Sequence, residues 1–277
     1  MVSDVSKTHP VQLTVLRAEQ VAPSLRRVVL GGDGFSTFLE RFEALPQAWT
    51  DTYVKLVFRS DGGTYAEPEL DLDALEERPV LRTYTIRAVD AEAGEVAIDF
   101  VVHGDEGLAG PWAAGVQPGD TIHLRGPNGA YRPLPDADWH LFVGDEAGLP
   151  AIAAGIEALP PGARAVAFIE VDGPADEIAF VTRGDVELHW LHRGAAPRGS
   201  TTLLDDAVRA WSWWPGRAQA FVHGESALLK SVRPYVLGDR GVARADVSVS
   251  AYWRRGETEE GFRVWKSQQT EAVMRPS

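Results

Sequence analysis

The chain has 277 residues, 44% of them hydrophobic and 24% charged, with 27 Lys and Arg against 40 Asp and Glu for a formal net charge of −13. These are the proportions of a globular protein able to bury a sizeable core, and the acidic balance argues against sequence-independent nucleic-acid binding and anionic-membrane binding, both of which need a basic face. The lack of cysteine excludes disulfides, thiol catalysis, thiolate zinc sites and cysteine-held iron–sulfur clusters.

No window approaches 18 apolar residues, and the opening MVSDVSKTHP has neither an apolar core nor a cleavage pattern. A cytoplasmic protein without a membrane span is therefore expected, and a monomer is the expected state, although no residue pattern fixes it. In chain order, Gln12–Ala18 and Leu25–Leu30 read as strands, followed by the breaker Gly31-Gly32-Asp33-Gly34. Asp51–Arg59 is rich in β-formers. Arg82–Val89 and Glu95–His103 follow around the turn Asp90–Gly94, and Thr121–Arg125 closes the series. Six short strands predict an antiparallel barrel or sandwich, with the acidic stretch Ala66–Arg78 as an excursion over its surface. Arg132-Pro133-Leu134-Pro135 reads as a linker, giving a first domain over 1–133 and a second over 138–277. In the second, strands at Trp139–Gly144, Ala163–Val171, Val186–His192, Ala218–His223 and Asp246–Trp253 alternate with helices at Leu149–Ala158 and Ser226–Val236. That is the pattern of a parallel sheet.

Several segments have the residue types for chemistry. In Arg82-Thr83-Tyr84-Thr85, strand alternation puts Arg82 and Tyr84 on one face and Thr83 and Thr85 on the other. A cation, a ring and a hydroxyl so close together suit a phosphorylated aromatic ligand, although an ordinary strand reads the same way. His103-Gly104 ends the preceding run of strand, and Gly107-Leu108-Ala109-Gly110-Pro111-Trp112-Ala113 then opens a helix whose N–H groups suit an anion. Gly144-Asp145-Glu146-Ala147-Gly148 and His223-Gly224-Glu225-Ser226 are strand–turn–helix units at the carboxyl ends of strands, where open parallel sheets bind ligands; both are also consistent with plain turns. Lys55, inside an apolar strand, is either a sheet-edge lysine or one that faces a ligand. Arg254-Arg255 fits a solvated turn, and Trp211-Ser212-Trp213-Trp214 fits packing or a helix end. No spacing of His, Asp and Glu resembles a metal site, and no G-x-S-x-G elbow supports a hydrolase.

The succession TYVKLVF, RTYT, DFVVHG, GLAGPWA, RGPNG, GDEAGLPAI, HGES and AYWRRG, from about Leu13 to about Gly256, resembles the siderophore-interacting protein family. These are flavin-dependent ferric-siderophore reductases of the ferredoxin-NADP reductase superfamily. The resemblance implies an N-terminal antiparallel six-stranded flavin-binding β-barrel followed by a Rossmann-like parallel-sheet nucleotide domain. It implies FAD, with Arg82 on its phosphate, Tyr84 on the isoalloxazine and Thr85 near N5. His103 and Gly104 would line the flavin site, and the segment Leu108, Ala109, Gly110, Pro111, Trp112 and Ala113 would hold the pyrophosphate. NADPH or NADH is the implied electron donor, with ferredoxin as an alternative. Gly144, Asp145, Glu146, Gly224 and Glu225 would flank the nicotinamide, and Arg193, or failing it Arg198, would meet a 2′-phosphate. Lys55 and Arg254 would stand across a ferric-siderophore pocket from each other. Electron transfer of this kind needs no acid–base residue and no protein ligand to iron. The competing readings are a flavin reductase with another acceptor and a siderophore-binding protein without turnover.

Overall fold

The computed structural model describes residues 9–102, 107–258, 261–262 and 265–266. The chain divides into two compact units, one of Met1–Arg132 with Ala153–Ala158 and one of Pro133–Ile152 with Leu159–Ser277. The first boundary lies between Arg132 and Pro133, and part of one helix groups with the first unit.

In the first unit, β1 (Val11–Ala22), β2 (Leu25–Gly31), β3 (Tyr53–Phe58), β4 (Val80–Asp90), β5 (Glu95–Val101) and β6 (Thr121–Asn128) form a closed barrel in the order β1-β2-β5-β4-β3-β6. Every adjacent pairing is antiparallel. Alternation in the sequence sets which side chains enter the core. In β1, Val11, Leu13 and Val15 are buried while Gln12 and Thr14 between them are half-buried. Val54, Leu56, Ile98 and Phe100 fill the centre. Two short helices pack against it, α1 (Phe35–Glu43) through Phe35 and Phe38, and α2 (Ala109–Gly115) through Ala109 and Ala113.

The second unit is a parallel five-stranded sheet in the order β11-β10-β7-β8-β9, made of β7 (Trp139–Asp145), β8 (Arg164–Val171), β9 (Asp185–His192), β10 (Ala218–Glu225) and β11 (Val247–Trp253). Its helices are α3 (Leu149–Glu157), α4 (Leu203–Ala210) and α5 (Leu228–Pro234). β7 and β10 are buried at every position, as strands covered on both faces must be, which explains their near-continuous apolar sequences. Trp139, at the start of β7, is 1% exposed. Trp211, Trp213 and Trp214 surround it with ring centroids at 5.6, 5.2 and 5.7 Å. The tryptophan run is thus the packing at the end of α4. Burying a side chain of this class stabilises the fold by roughly 1.5–3 kcal/mol.

All eleven strands follow the sequence expectation to within a few residues. The helices α1 and α4 were not expected. Helix α5 starts two residues later than Ser226, and beyond Pro234 the chain continues as a π turn over Tyr235–Asp239. Among the described residues no helix is long and apolar enough to cross a membrane.

Candidate functional site

In the barrel unit the chemistry-bearing residues sit on β4 and its two neighbours. Tyr84 is the cross-strand partner of Val54, and Arg82 of Leu56. Directly opposed residues share a face, so Arg82 and Tyr84 lie on the face of two fully buried core residues. Arg82 is buried, and Tyr84 is half-buried with its ring centroid 4.5 Å from that of Phe100. Phe100 in turn meets Trp112 of α2 at 5.5 Å. Aromatic packing thus connects the strand bearing Arg82 with the helix that follows Gly107-Leu108. Thr85 is also buried, opposite Tyr53. The N-cap Leu108 supplies no side-chain hydrogen bond to α2, which leaves the capping at that end to other groups.

Lys55 is opposed on one side by Thr83 and on the other by Arg125. It is therefore in the middle of a closed barrel and is no sheet-edge lysine. The register puts Lys55 and Arg125 side by side as a cationic pair, and the sequence reading missed Arg125 because its neighbour is 70 residues away in the chain. His103 and Gly104 lie outside the described residues.

In the second unit, a cavity of about 160 Å³ opens at the carboxyl ends of the strands. Its lining includes Asp145 from the end of β7, Glu170 from β8, Arg193 just past β9, Glu225 from β10 and Trp253 from β11. The two turns singled out in the sequence do meet here. Asp145 holds them together. Its Oδ1 accepts from the Ala147 and Gly148 N–H groups at 2.9 and 3.3 Å. Its Oδ2 accepts from the Glu225 N–H at 2.9 Å and the Trp253 indole at 2.7 Å. This junction explains the glycines of the first turn, since a Cβ on Gly144 or Gly148 would come within 2.4 Å of the His223 carbonyl oxygen. Glu225 Oε1 accepts from the Ser226 hydroxyl at 2.9 Å and the Arg255 N–H at 3.0 Å. Arg254, next in the turn, pairs with Glu257 at 3.7 Å and lies 5.2 Å from the Trp265 ring.

Arg193, which the resemblance puts on a 2′-phosphate, is enclosed by acids. Its side chain is 1% exposed and forms ion pairs with Glu146 and Asp172, with Glu170 at 3.8 Å. Arg198, 18% exposed, approaches Glu146 at 3.6 Å and packs over Trp253 at 5.1 Å. Burial pushes the Glu146 carboxyl above its ordinary range, opposed by the Arg193 hydrogen bond and by Arg198. Burial also raises Glu170, opposed by the Thr201 hydroxyl donating to it at 2.6 Å. The cavity is thus dominated by acceptors. It suits a ligand with hydroxyl and carboxamide donors better than a bare phosphate.

Comparison with known proteins places both halves. Residues 14–131 match the family model for a siderophore-interacting FAD-binding domain, and residues 137–256 match that for a siderophore-interacting protein. An uncharacterised protein of Mycobacterium tuberculosis is 48% identical, covering 93% of this chain and 95% of that one. The ferric vibriobactin reductase ViuB of Vibrio cholerae is 31% identical over 95% of this chain and 96% of its own. The crystal structure of a siderophore utilization protein from T. fusca superposes with a TM-score of 0.77 at 36% identity, covering 90% of this chain and 94% of that one.

Proposed function

The chain belongs to the siderophore-interacting protein family, and on that premise we propose that it reduces ferric siderophores through FAD, with a reduced pyridine nucleotide as electron source. One observation carries the reading: β4 bears Arg82 and Tyr84 on one face, with Thr85 next along the strand, within the unit that matches an FAD-binding domain. A guanidinium, a ring and a hydroxyl fit the phosphate, the isoalloxazine and its polar edge. When bound, FAD supplies the conversion between hydride transfer and single-electron transfer. Iron is substrate, not a resident cofactor. Oxygen-rich siderophores hold hard Fe(III) far more tightly than Fe(II), so reduction releases the metal. Oxidation of one NAD(P)H to NAD(P)⁺ yields two electrons and one proton, enough for two ferric complexes.

The protein's own residues bind and orient. Arg82 anchors phosphate through charge-assisted hydrogen bonds, and the Gly107–Ala113 segment accommodates the pyrophosphate. Lys55, with Arg125 beside it, and Arg254 attract an anionic ferric complex that the net charge of −13 repels at long range. The nucleotide enters at the carboxyl ends of β7 and β10. There Asp145 and Glu225 hold the two turns around the nicotinamide end, and Glu146 and Glu170 accept from its hydroxyl and amide donors. A 2′-phosphate on Arg193 would have to compete with the carboxylates around that guanidinium, so Arg198 is the better-placed of the two arginines for a phosphate.

Anaerobic stopped-flow absorbance tests the function. The FAD-loaded protein is mixed with NADPH, NADH or reduced ferredoxin, then with ferric siderophores of different chelating groups. The expected result is flavin bleaching by a pyridine nucleotide and recovery of the oxidised spectrum by at least one ferric siderophore. Bleaching without recovery by any ferric siderophore, but with recovery by another acceptor, would overturn the substrate. A protein that binds ferric siderophore and no flavin would overturn the enzyme reading.

A further inference from the structure

In the parallel-sheet unit, β7, its turn, α3 and β8 follow one another along the chain, and β7 and β8 pair in register up to Asp145 opposite Glu170. Asp172 stands just past the end of β8, roughly 25 residues beyond the Gly144–Gly148 turn. In nucleotide-binding units of this kind, an acid about 20 residues after the first turn accepts from the ribose 2′-hydroxyl of NAD, whereas an arginine nearby accommodates the 2′-phosphate of NADP. This chain has both residue types at that place, Asp172 and Arg193. Their surroundings decide which sugar fits.

Backbone pairing fixes the two residues side by side. The Arg193 N–H donates to the Val171 carbonyl at 3.1 Å, and the Gly194 N–H donates to the Asp172 carbonyl at 2.9 Å. The Arg193 guanidinium is 1% exposed and turned toward Glu146, Glu170 and Asp172, so it offers little to a ligand phosphate. Asp172 is the opposite case. Its side chain is 52% exposed, and it pairs with an arginine that lines the cavity. Glu170, two residues earlier and so on the same face, is buried and accepts from the Thr201 hydroxyl at 2.6 Å. A 2′-phosphate, with a charge of about −1.5 to −2 at pH 7, would meet these like charges, and like-charge juxtaposition is how a site rejects the wrong partner. A 2′-hydroxyl would meet an acceptor. Arg198 does not reverse this balance: its guanidinium packs over Trp253 of β11 at 5.1 Å and approaches Glu146, after β7, at 3.6 Å.

We propose that Asp172 reads the nucleotide ribose and makes this chain selective for NADH over NADPH. A phosphate on Arg198 is then the pyrophosphate that both nucleotides carry. The inference rests on the pyridine-nucleotide reading and narrows it to one donor.

Calorimetric titration of the FAD-loaded protein with NAD⁺ and with NADP⁺ measures binding without turnover, and anaerobic stopped-flow absorbance with NADH and NADPH measures flavin reduction. The wild type should bind NAD⁺ at least about tenfold more tightly than NADP⁺, and low concentrations of NADH should bleach the flavin faster than equal concentrations of NADPH. Asp172→Asn removes the charge and should cut the NAD⁺ to NADP⁺ affinity ratio by about tenfold, the scale of one hydrogen bond to a charged group, with NADP⁺ binding more tightly than in the wild type. Asp172→Glu keeps the charge and should keep the preference for NAD⁺. A role confined to holding Arg193 would lower both affinities together and leave the ratio alone. That result, equal affinities in the wild type, or a wild-type preference for NADP⁺ would overturn the assignment and leave the pyridine-nucleotide reading standing. If the wild type bound neither nucleotide and neither bleached the flavin, that reading would fall and the inference with it.

Discussion

The barrel and the parallel sheet each bury an arginine, and the surroundings of the two differ in kind. Arg82 lies on β4 opposite apolar Leu56, close in the register to Lys55 and Arg125. Arg193 lies past β9 among Glu146, Glu170 and Asp172. The first unit thus sets Arg82 among apolar core residues, with the Lys55–Arg125 pair on the opposite face of the same strands, and the second surrounds its arginine with carboxylates. A dinucleotide carries both phosphates and hydroxyls, so the two units are suited to opposite ends of the same ligand class. One arginine is proposed for recognition, and the other pairs with buried acids.

The largest effect that separates these roles is on stability. Arg193→Ala strands Glu146 and Glu170 in a buried site, and breaking such a pair costs about 3–5 kcal/mol. Denaturant unfolding of the flavin-free protein should show that loss in Arg193→Ala and a much smaller one in Arg82→Ala; equal losses would break the comparison. Next is the reverse ordering in cofactor affinity. Arg82→Ala should weaken FAD by about 1.5–3 kcal/mol, the scale of hydrogen bonds to charged groups, read by flavin titration. Unchanged affinity would remove Arg82 from the site. A smaller effect belongs to the half-buried cations. Lys55→Ala, Arg125→Ala and Arg254→Ala should each raise KM for an anionic ferric siderophore by about two- to fivefold at low salt. The effect should shrink as salt screens the wild-type attraction, and wild-type KM values at low salt would put the substrate elsewhere.

The last expected effect appears only in acid. His223, buried in β10 with Nε2 2.9 Å from Ser248 Oγ, is pushed down from 6.5 to about 3, by burial first and then by Lys266. The unfolded chain therefore binds the proton more readily than the folded one between those values. Stability is fully present above about 6.5 and falls as the pH drops toward 3. Glu146 and Glu170, raised by burial, act with the opposite sign: their protonation favours the folded state as the pH falls through their raised values. His223→Asn should flatten the acid limb measured by thermal unfolding, and an unchanged limb would show that other groups control it.

What the sequence made legible was local. The alternation of Val11, Leu13 and Val15 and the largely apolar stretches Leu141–Val143 of β7 and Ala220–Val222 of β10 reveal strands without any tertiary information. The helix α4 also left a signal, since Leu204, Ala207, Val208 and Trp211 follow helical spacing. With only eight residues it was too short for that spacing to stand out. Phe35, Phe38 and Phe42 gave a similar cue for α1. The site's electrostatics could not be read in this way. Arg125 joins Lys55 only through the β3–β6 register, and Arg193 meets Glu146 and Glu170 only because β7, β8 and β9 lie side by side. Both are products of long-range pairing.

The tryptophan packing around Trp139 gives the molecule an uneven optical signature. Of nine tryptophans, Trp49 and Trp112 alone belong to the first unit. Four of the seven in the second crowd together, with every measured centroid separation at or below 6.4 Å. Ultraviolet-excited emission therefore reports mainly on the parallel-sheet unit, while flavin absorbance would report on the barrel. Recorded together during denaturation, the two colours would follow the two halves of one chain separately without any label.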